Sequence, residues 1–290
     1  MVVVPACGRI IHYAPPGEAN ILWENPALAA RPSTKRKPAR GKAAGAWVNY
    51  GGDKAWPWPQ SRWPQVIDRE WPPPQQLERQ PHELRLVSRC AVSLTSEPLP
   101  EFGVRVSREI TLATRGNRAT IRTTLDPADP DVASDPSPWA AWSVTQIRTP
   151  SRIALRIDPN TDLPSGHKPL SPRSWETVKR IGADILLTRA PDQTAKFGAD
   201  ADILAAEIGN WLFVQKRLPD ENNTGRRLSG EAAQVFASGK VSGAPGSEYV
   251  ELEFTGRRAQ PRPSLSVQWD LIEWNAANTD AELAVLLRTL

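Results

Sequence analysis

Polar and apolar residues alternate with a period of two over much of this chain. In 84–94 the even positions are Leu84, Leu86, Ser88, Cys90, Val92 and Leu94. In 104–112 they are Val104, Val106, Arg108, Ile110 and Leu112. In 119–125 the odd positions Ala119, Ile121, Thr123 and Leu125 stand against Arg118, Thr120, Arg122 and Thr124. Successive side chains of a strand point to opposite faces, so these runs predict strands with one apolar side each. Gly116-Asn117 supplies a compact turn between two of them. Further strands are predicted at 140–147, 153–157, 184–188, 194–198, 202–207 and 210–217. Near the end, Val250, Leu252 and Phe254 alternate with Glu251 and Glu253, and Leu265, Val267, Trp269 and Leu271 with Ser266, Gln268 and Asp270. Val2–Val4, Arg9–Tyr13 and Ile21–Trp23 read as short strands. One helix is predicted at about 280–289, where Thr279 or Asp280 caps a face of Leu283, Leu286, Leu287 and Leu290.

Many one-faced antiparallel strands with no helices between them must hide their apolar sides against another sheet. The expected fold is therefore all-β, a large antiparallel β-sandwich spanning 1–290 as a single domain. The segment 31–45 interrupts it. Lys35, Arg36, Lys37, Arg40 and Lys42 crowd together there between Pro and Gly, which reads as a solvated, flexible insertion. Residues 126–138 form an acidic, Pro-rich loop, and 219–230 a polar one.

Composition narrows the partners. A net charge of +4 is too mild to imply nucleic acid. No apolar run reaches the length of a membrane span, and the expectation is a soluble protein. No signal peptide is visible, yet the chain opens abruptly in a strand, as if an upstream segment were missing, so localisation stays open. Cys7 and Cys90 match no metal spacing and no disulfide framework, and buried free thiols are the expectation. No motif calls for a metal or an organic cofactor. Oligomeric state is not legible.

The chemistry concentrates in WVNYGGDKAWPWPQSRW, residues 47–63. Trp47, Trp56, Trp58 and Trp63 lie there beside Asp53, Lys54 and Arg62. Gly51-Gly52 permits backbone angles that side chains forbid, and Pro57 and Pro59 favour extended neighbours. The expectation is a stiff, extended loop that shows flat rings beside charges, suited to stacking on sugar C–H faces while polar groups bind hydroxyls. The competing expectation is that the rings fill a core.

The order G-R-I at 8–10, N-I-L-W at 20–23 and G-G-D-K-A-W-P-W-P at 51–59 resembles the galactose-mutarotase-like superfamily. The match is best with an uncharacterised group in it, which is similar in N-Y-G-G-D-K-x-W-P at 49–57, W-S-V-T-Q at 142–146 and Y-V-E-L-E at 249–253. The resemblance implies a β-supersandwich of two large twisted sheets. It also implies a glutamate general base late in the chain, where Glu251 stands with Glu253 on the same polar side, roughly 7 Å along the strand. The family's histidine acid does not carry over; Gln146 is the nearest polar residue in the segment where one would be expected.

Three functions compete. The first is a carbohydrate-binding protein that takes a sugar or small polar ligand with Asp53, Lys54, Trp56, Trp58, Arg62, Gln146, Glu251 and Glu253. The second is an epimerase or other carbohydrate-active enzyme with Glu251 as catalytic residue. The third is a non-catalytic interaction domain in which the Trp-rich stretch is core.

Overall fold

Alternation over so many strands is realised as two stacked sheets. The computed structural model describes residues 1–29, 48–129, 131, 137–160, 167–170, 175, 177–219, 232–240, 246–258 and 261–290. The first sheet contains β1 (Val2–Val4), β2 (Arg9–His12), β3 (Asp53–Trp58), β8 (Ala140–Arg148), β10 (Lys168–Pro169), β13 (Ala195–Ala199), β16 (Ala233–Ala237) and β17 (Tyr249–Thr255). Its eight strands run in the order β1-β2-β3-β8-β17-β16-β13-β10. The second contains β4 (His82–Ser88), β5 (Ala91–Ser96), β6 (Val104–Leu112), β7 (Arg118–Pro127), β9 (Arg152–Ile157), β11 (Lys179–Ile181), β12 (Ile185–Thr188), β14 (Ala201–Ile208), β15 (Trp211–Arg217) and β18 (Ser264–Glu273). Its ten strands run β11-β12-β9-β14-β15-β18-β7-β6-β5-β4. All pairings are antiparallel.

The predicted apolar sides meet between the sheets. Val106, Ile110, Ile121 and Leu125 from one layer share a core with Leu252, Phe254 and Ile147 from the other. Helix α4 (Asp280–Thr289), the last of four among the described residues, covers the far side of the ten-stranded sheet. It buries Leu283, Ala284 and Leu287 against Ala154, Ile203, Leu212 and Val214. Thr279, one of the two caps the sequence offers, forms a reciprocal capping box with Glu282 at its start. Three shorter helices, α1 (Pro26–Ala29), α2 (Pro64–Ile67) and α3 (Gln75–Arg79), were not legible from periodicity.

Three expectations change. Ile21–Trp23 forms no strand; Leu22 makes only an isolated bridge to Ile147. The run 84–94 is a hairpin, β4 and β5, rather than one strand. Leu84 pairs with Leu94 and Leu86 with Val92, so from His82 to Leu86 every partner has the same parity, and only the irregular pair Ser88–Ala91 beside the turn breaks it. The expected loop at 53–58 is β3, a strand between β2 and β8. The Gly-Gly before it does serve backbone approach. A Cβ on Gly51 would lie 2.1 Å from the Trp23 carbonyl oxygen, and one on Gly52 2.3 Å from that of Ile10, with φ of +85° and +72°. The insertion at 31–45, with Trp47, lies outside the described residues.

Arg108 is the one charge on the apolar side of its strand, and the structure explains it. Its guanidinium crosses the core from β6 to β3, forms an ion pair with Asp53, and donates to the Gly8 carbonyl at 2.9 Å. The other Asp53 oxygen accepts from Thr145 at 2.7 Å and from Ser143 at 3.3 Å, and Gln215 of the ten-stranded sheet donates to Thr145 at 2.7 Å. A buried charge needs this density of partners.

Candidate functional site

Strand pairing sorts the candidate residues onto two faces. Opposed residues of antiparallel strands share a face. Lys54 opposes Val144, Trp56 opposes Trp142, Glu251 opposes Gln146, and Glu253 opposes Val144. These side chains therefore stand on the outer face of the eight-stranded sheet, turned away from its partner layer. Asp53 opposes Thr145 and faces the other way, into the core.

Glu251 is the centre of the outer face. Its side chain is 12% exposed, and one oxygen accepts from Gln146 Nε2 at 2.7 Å. The same oxygen lies 3.9 Å from Lys54 Nζ. Lys54 is buried, and its ammonium rests 3.7 Å from the centre of the Trp56 ring, a cation–π arrangement. Glu253 is fully buried, and one of its oxygens accepts from Trp142 Nε1 at 2.9 Å and Lys196 Nζ at 2.8 Å. Tyr249 comes next along β17, and its ring packs 4.6 Å from that of Trp23. Beside Trp23 a cavity of about 480 Å³ is lined by Asn20, Arg148 and Glu248.

Three polar atoms in this neighbourhood are buried and make no hydrogen bond to the described residues: Lys54 Nζ, Gln146 Oε1 and Glu253 Oε1. Folded proteins pair nearly all buried polar groups, so such a concentration marks a place apart. Its electrostatics are perturbed accordingly. Burial pushes the Lys54 ammonium below its ordinary range; Glu78 and Glu251 offset this in part, and Arg9 adds to it. Burial pushes the Glu253 carboxyl up against the pull of Lys196, with Glu251 adding to the rise. Burial, then Glu251, also holds the Tyr249 phenol well above the usual tyrosine range.

A second, closed network borders the face. Glu78 of α3 accepts from Trp56 Nε1 at 3.0 Å and forms a buried ion pair with Arg9, which also donates to the Gly51 carbonyl at 2.9 Å. Arg9, Glu78, Trp142, Lys196 and Tyr249 were not among the sequence candidates. Arg9 and Trp142 lie inside the G-R-I and W-S-V-T-Q segments, so the signal was present, but only strand register gives it meaning.

The remaining candidates fall elsewhere. Asp53 is wholly enclosed by its partners in the core, so its sequence neighbour Lys54 reaches this face and it does not. The rings of Trp56 and Trp58 are not displayed. Trp56 packs edge-on against Trp63 at 5.6 Å and Trp142 at 5.4 Å, and Trp58 is buried with the Arg258 guanidinium 5.4 Å from its ring. They form the wall and floor of the region in place of an exposed platform, because β3 lies inside the sheet. Arg62 is turned to Trp139, 5.9 Å from its ring, and touches neither Lys54 nor Glu251. No histidine stands with Glu251 either: His12 pairs with Val2, His82 lies against Gly8, and His167 packs on Phe197. Among the described residues no cluster of three or more His, Cys, Asp or Glu could hold a metal ion. Both thiols are free and half-buried, and burial raises that of Cys7.

No protein-family model and no curated protein matches the sequence. Solved structures do. The Slr1438 protein from Synechocystis sp. PCC 6803 superposes with a TM-score of 0.51 at 12% identity, over 93% of this chain and 91% of that one. A candidate aldose 1-epimerase from Escherichia coli K12 matches with a TM-score of 0.46 at 10% identity, over 68% of this chain and 70% of that one. A galactose mutarotase-like protein from Lactobacillus casei gives 0.43 at 10%, over 69% and 75%. The likeness to the Slr1438 protein is one of fold, an antiparallel sandwich of two large sheets. In this sandwich the Glu251 face is the outer side of the smaller sheet, and no helix among the described residues is long and apolar enough to cross a membrane.

Proposed function

We propose that the outer face of the eight-stranded sheet binds a carbohydrate, with Glu251, Gln146, Glu253 and Lys54 as its polar contacts. The observation that carries this reading is the set of unspent buried atoms, Lys54 Nζ, Gln146 Oε1 and Glu253 Oε1, around one partly exposed carboxylate. Two of these atoms accept and one donates. Neighbouring sugar hydroxyls can each donate and accept, so one ligand satisfies both kinds. The buried aromatic wall of Trp56 and Trp142 keeps the contacts in a low-dielectric setting, where hydrogen bonds to a ligand count for more.

A second reading is favoured by the approach of Lys54 to Glu251. A carboxylate that takes a proton and an amine that returns one are what opening a cyclic sugar requires. Glu251 would accept the proton of the anomeric hydroxyl while the protonated Lys54 gives one to the ring oxygen as the carbon–oxygen bond breaks. Lys54 would thereby do what histidine does in the family this chain resembles.

Tryptophan fluorescence against a panel of mono- and oligosaccharides tests the binding reading, because Trp56 and Trp142 touch Lys54 and Glu253. The expected result is a saturable change that disappears in Glu251→Gln and Lys54→Met, with both variants melting as cooperatively as the parent. Silence toward every sugar at millimolar concentration would sink it. Polarimetry of freshly dissolved aldoses tests the second reading. Binding without faster interconversion of anomers leaves a lectin-like protein.

A further inference from the structure

Among the described residues each sheet has two edges, and three of the four are short. β1 and β11 contribute three residues each and β10 only two. Short edges are a common protection against unwanted strand pairing. The fourth, β4, has seven residues, His82–Ser88, and six of them are exposed. Among the described residues it pairs with β5 alone. It has no proline, which is another usual safeguard.

Its side chains are as unusual as its length. Leu84 and Leu86 lie on the side that continues the inner face of the sheet, since they oppose Leu94 and Val92. Leu94 is buried, yet Leu84 is 44% and Leu86 74% exposed, with Val87 at 57% and Leu112 at 37% nearby. The ten-stranded sheet thus projects past its partner and leaves an apolar strip along an edge that is unpaired among the described residues. On the opposite side of the same strand Glu83 and Arg85 alternate with the leucines and pair with each other at 2.8 Å in full solvent.

We propose that two copies of this chain associate through β4, antiparallel about a two-fold axis at Leu84, so that two ten-stranded sheets become one. Arithmetic selects this register. With the axis at Leu84, Glu83 of each copy opposes Arg85 of the other, and Leu84 opposes Leu84. Moving the axis one residue sets Arg85 against Arg85 or Glu83 against Glu83, and like charges directly opposed destabilise a sheet. Moving it to Leu86 sets Arg85 against Val87 and Glu83 against Arg89, which lies past the end of the strand in the turn to β5, so both Glu83–Arg85 pairs are lost within the paired strands. The axis is normal to the sheet, so the inner faces stay on one side and Leu84 and Leu86 of the two copies form one apolar strip. The interface is isologous, as a two-fold requires.

Sedimentation equilibrium of the full chain is the test. The monomer mass is 32.0 kDa, and the expected outcome is a concentration-dependent shift toward twice that value in the micromolar range. Glu83→Arg alone and Arg85→Glu alone should each weaken the dimer at least tenfold, because each sets like charges face to face. The double exchange, Glu83→Arg with Arg85→Glu, should restore it. All three changes are at exposed positions, so unchanged melting curves confirm that folding is intact. A 32.0 kDa particle at every concentration up to about 100 µM, well above the range of specific homodimers, overturns the proposal. So does a dimer that ignores both single reversals.

Discussion

Asp53 and Lys54 are consecutive residues of one strand, both charged and both buried, and they stand in opposite conditions. Asp53 is saturated: Arg108, Thr145 and Ser143 account for both of its oxygens. The Lys54 ammonium has an aromatic face beneath it and a carboxylate at 3.9 Å, but no hydrogen bond to the described residues. Burial alone therefore says little about role. A buried charge whose partners all come from the chain is part of the scaffold. One left short of partners is stabilised only when something else supplies them, and its cost to the fold is the trace of that requirement.

Four substitutions test the contrast, from the largest effect to the smallest. Asp53→Ala strands the Arg108 guanidinium in the core and should cost about 3–5 kcal/mol in urea unfolding. A loss under about 1 kcal/mol, the range of an exposed pair, would break the comparison. Lys54→Met should do the reverse and stabilise by about 1–2 kcal/mol at neutral pH. The sign follows from its lowered pKa. The unfolded chain holds a proton on this amine over a range where the folded chain has released it, so the parent gains stability as pH rises toward the ordinary lysine range. The advantage of the variant should shrink over the same interval, which melting curves at several pH values would register.

His82 gives a milder case of burial on the saturated side. It sits against Gly8, its Nδ1–H donates to the Gln80 carbonyl at 2.9 Å, and burial lowers its pKa from 6.5 to about 4. As pH falls below about 6.5 the unfolded chain takes up the proton first. Stability should decline by about 1–2 kcal/mol between pH 6.5 and 4 from this group, and His82→Gln should flatten that limb. Arg118→Ala removes a 2.7 Å pair with Asp270 in which the arginine is 54% exposed. The expected change is under about 0.5 kcal/mol; a larger one would mean that partner saturation matters even at the surface.

The fold was largely legible because period-two alternation is a direct imprint of a sheet with one buried side. It failed where that imprint was missing or misleading. β3 carries Asp53, Lys54, Trp56 and Trp58, polar and bulky on both sides, because one face holds an ion pair in the core and the other lies under the buried aromatic wall. The hairpin at 89–90 was hidden by its own even register. The site was half legible. Glu251, Glu253, Gln146 and Lys54 do come together, but knowing that Asp53 points away from them requires the pairing of β3 with β8. Arg9, Glu78 and Lys196 are distant in sequence and join the region only through topology. The tryptophans misled because clustering along the chain signals a shared aromatic environment without saying whether solvent reaches it.

The ion pair between Asp53 and Arg108 has a consequence for how this protein should be screened. Apolar side chains let two sheets settle at many offsets of similar energy, whereas a directional bond between β3 and β6 admits one. Because Lys54 is bonded to Asp53 through the backbone, that offset also sets where its amine stands relative to Glu251. A mutational scan scored by the sugar binding proposed above would therefore rank Asp53 and Arg108 among the binding residues although both are buried in the core. Only a parallel scan of stability would separate the two that hold the template from those that read it.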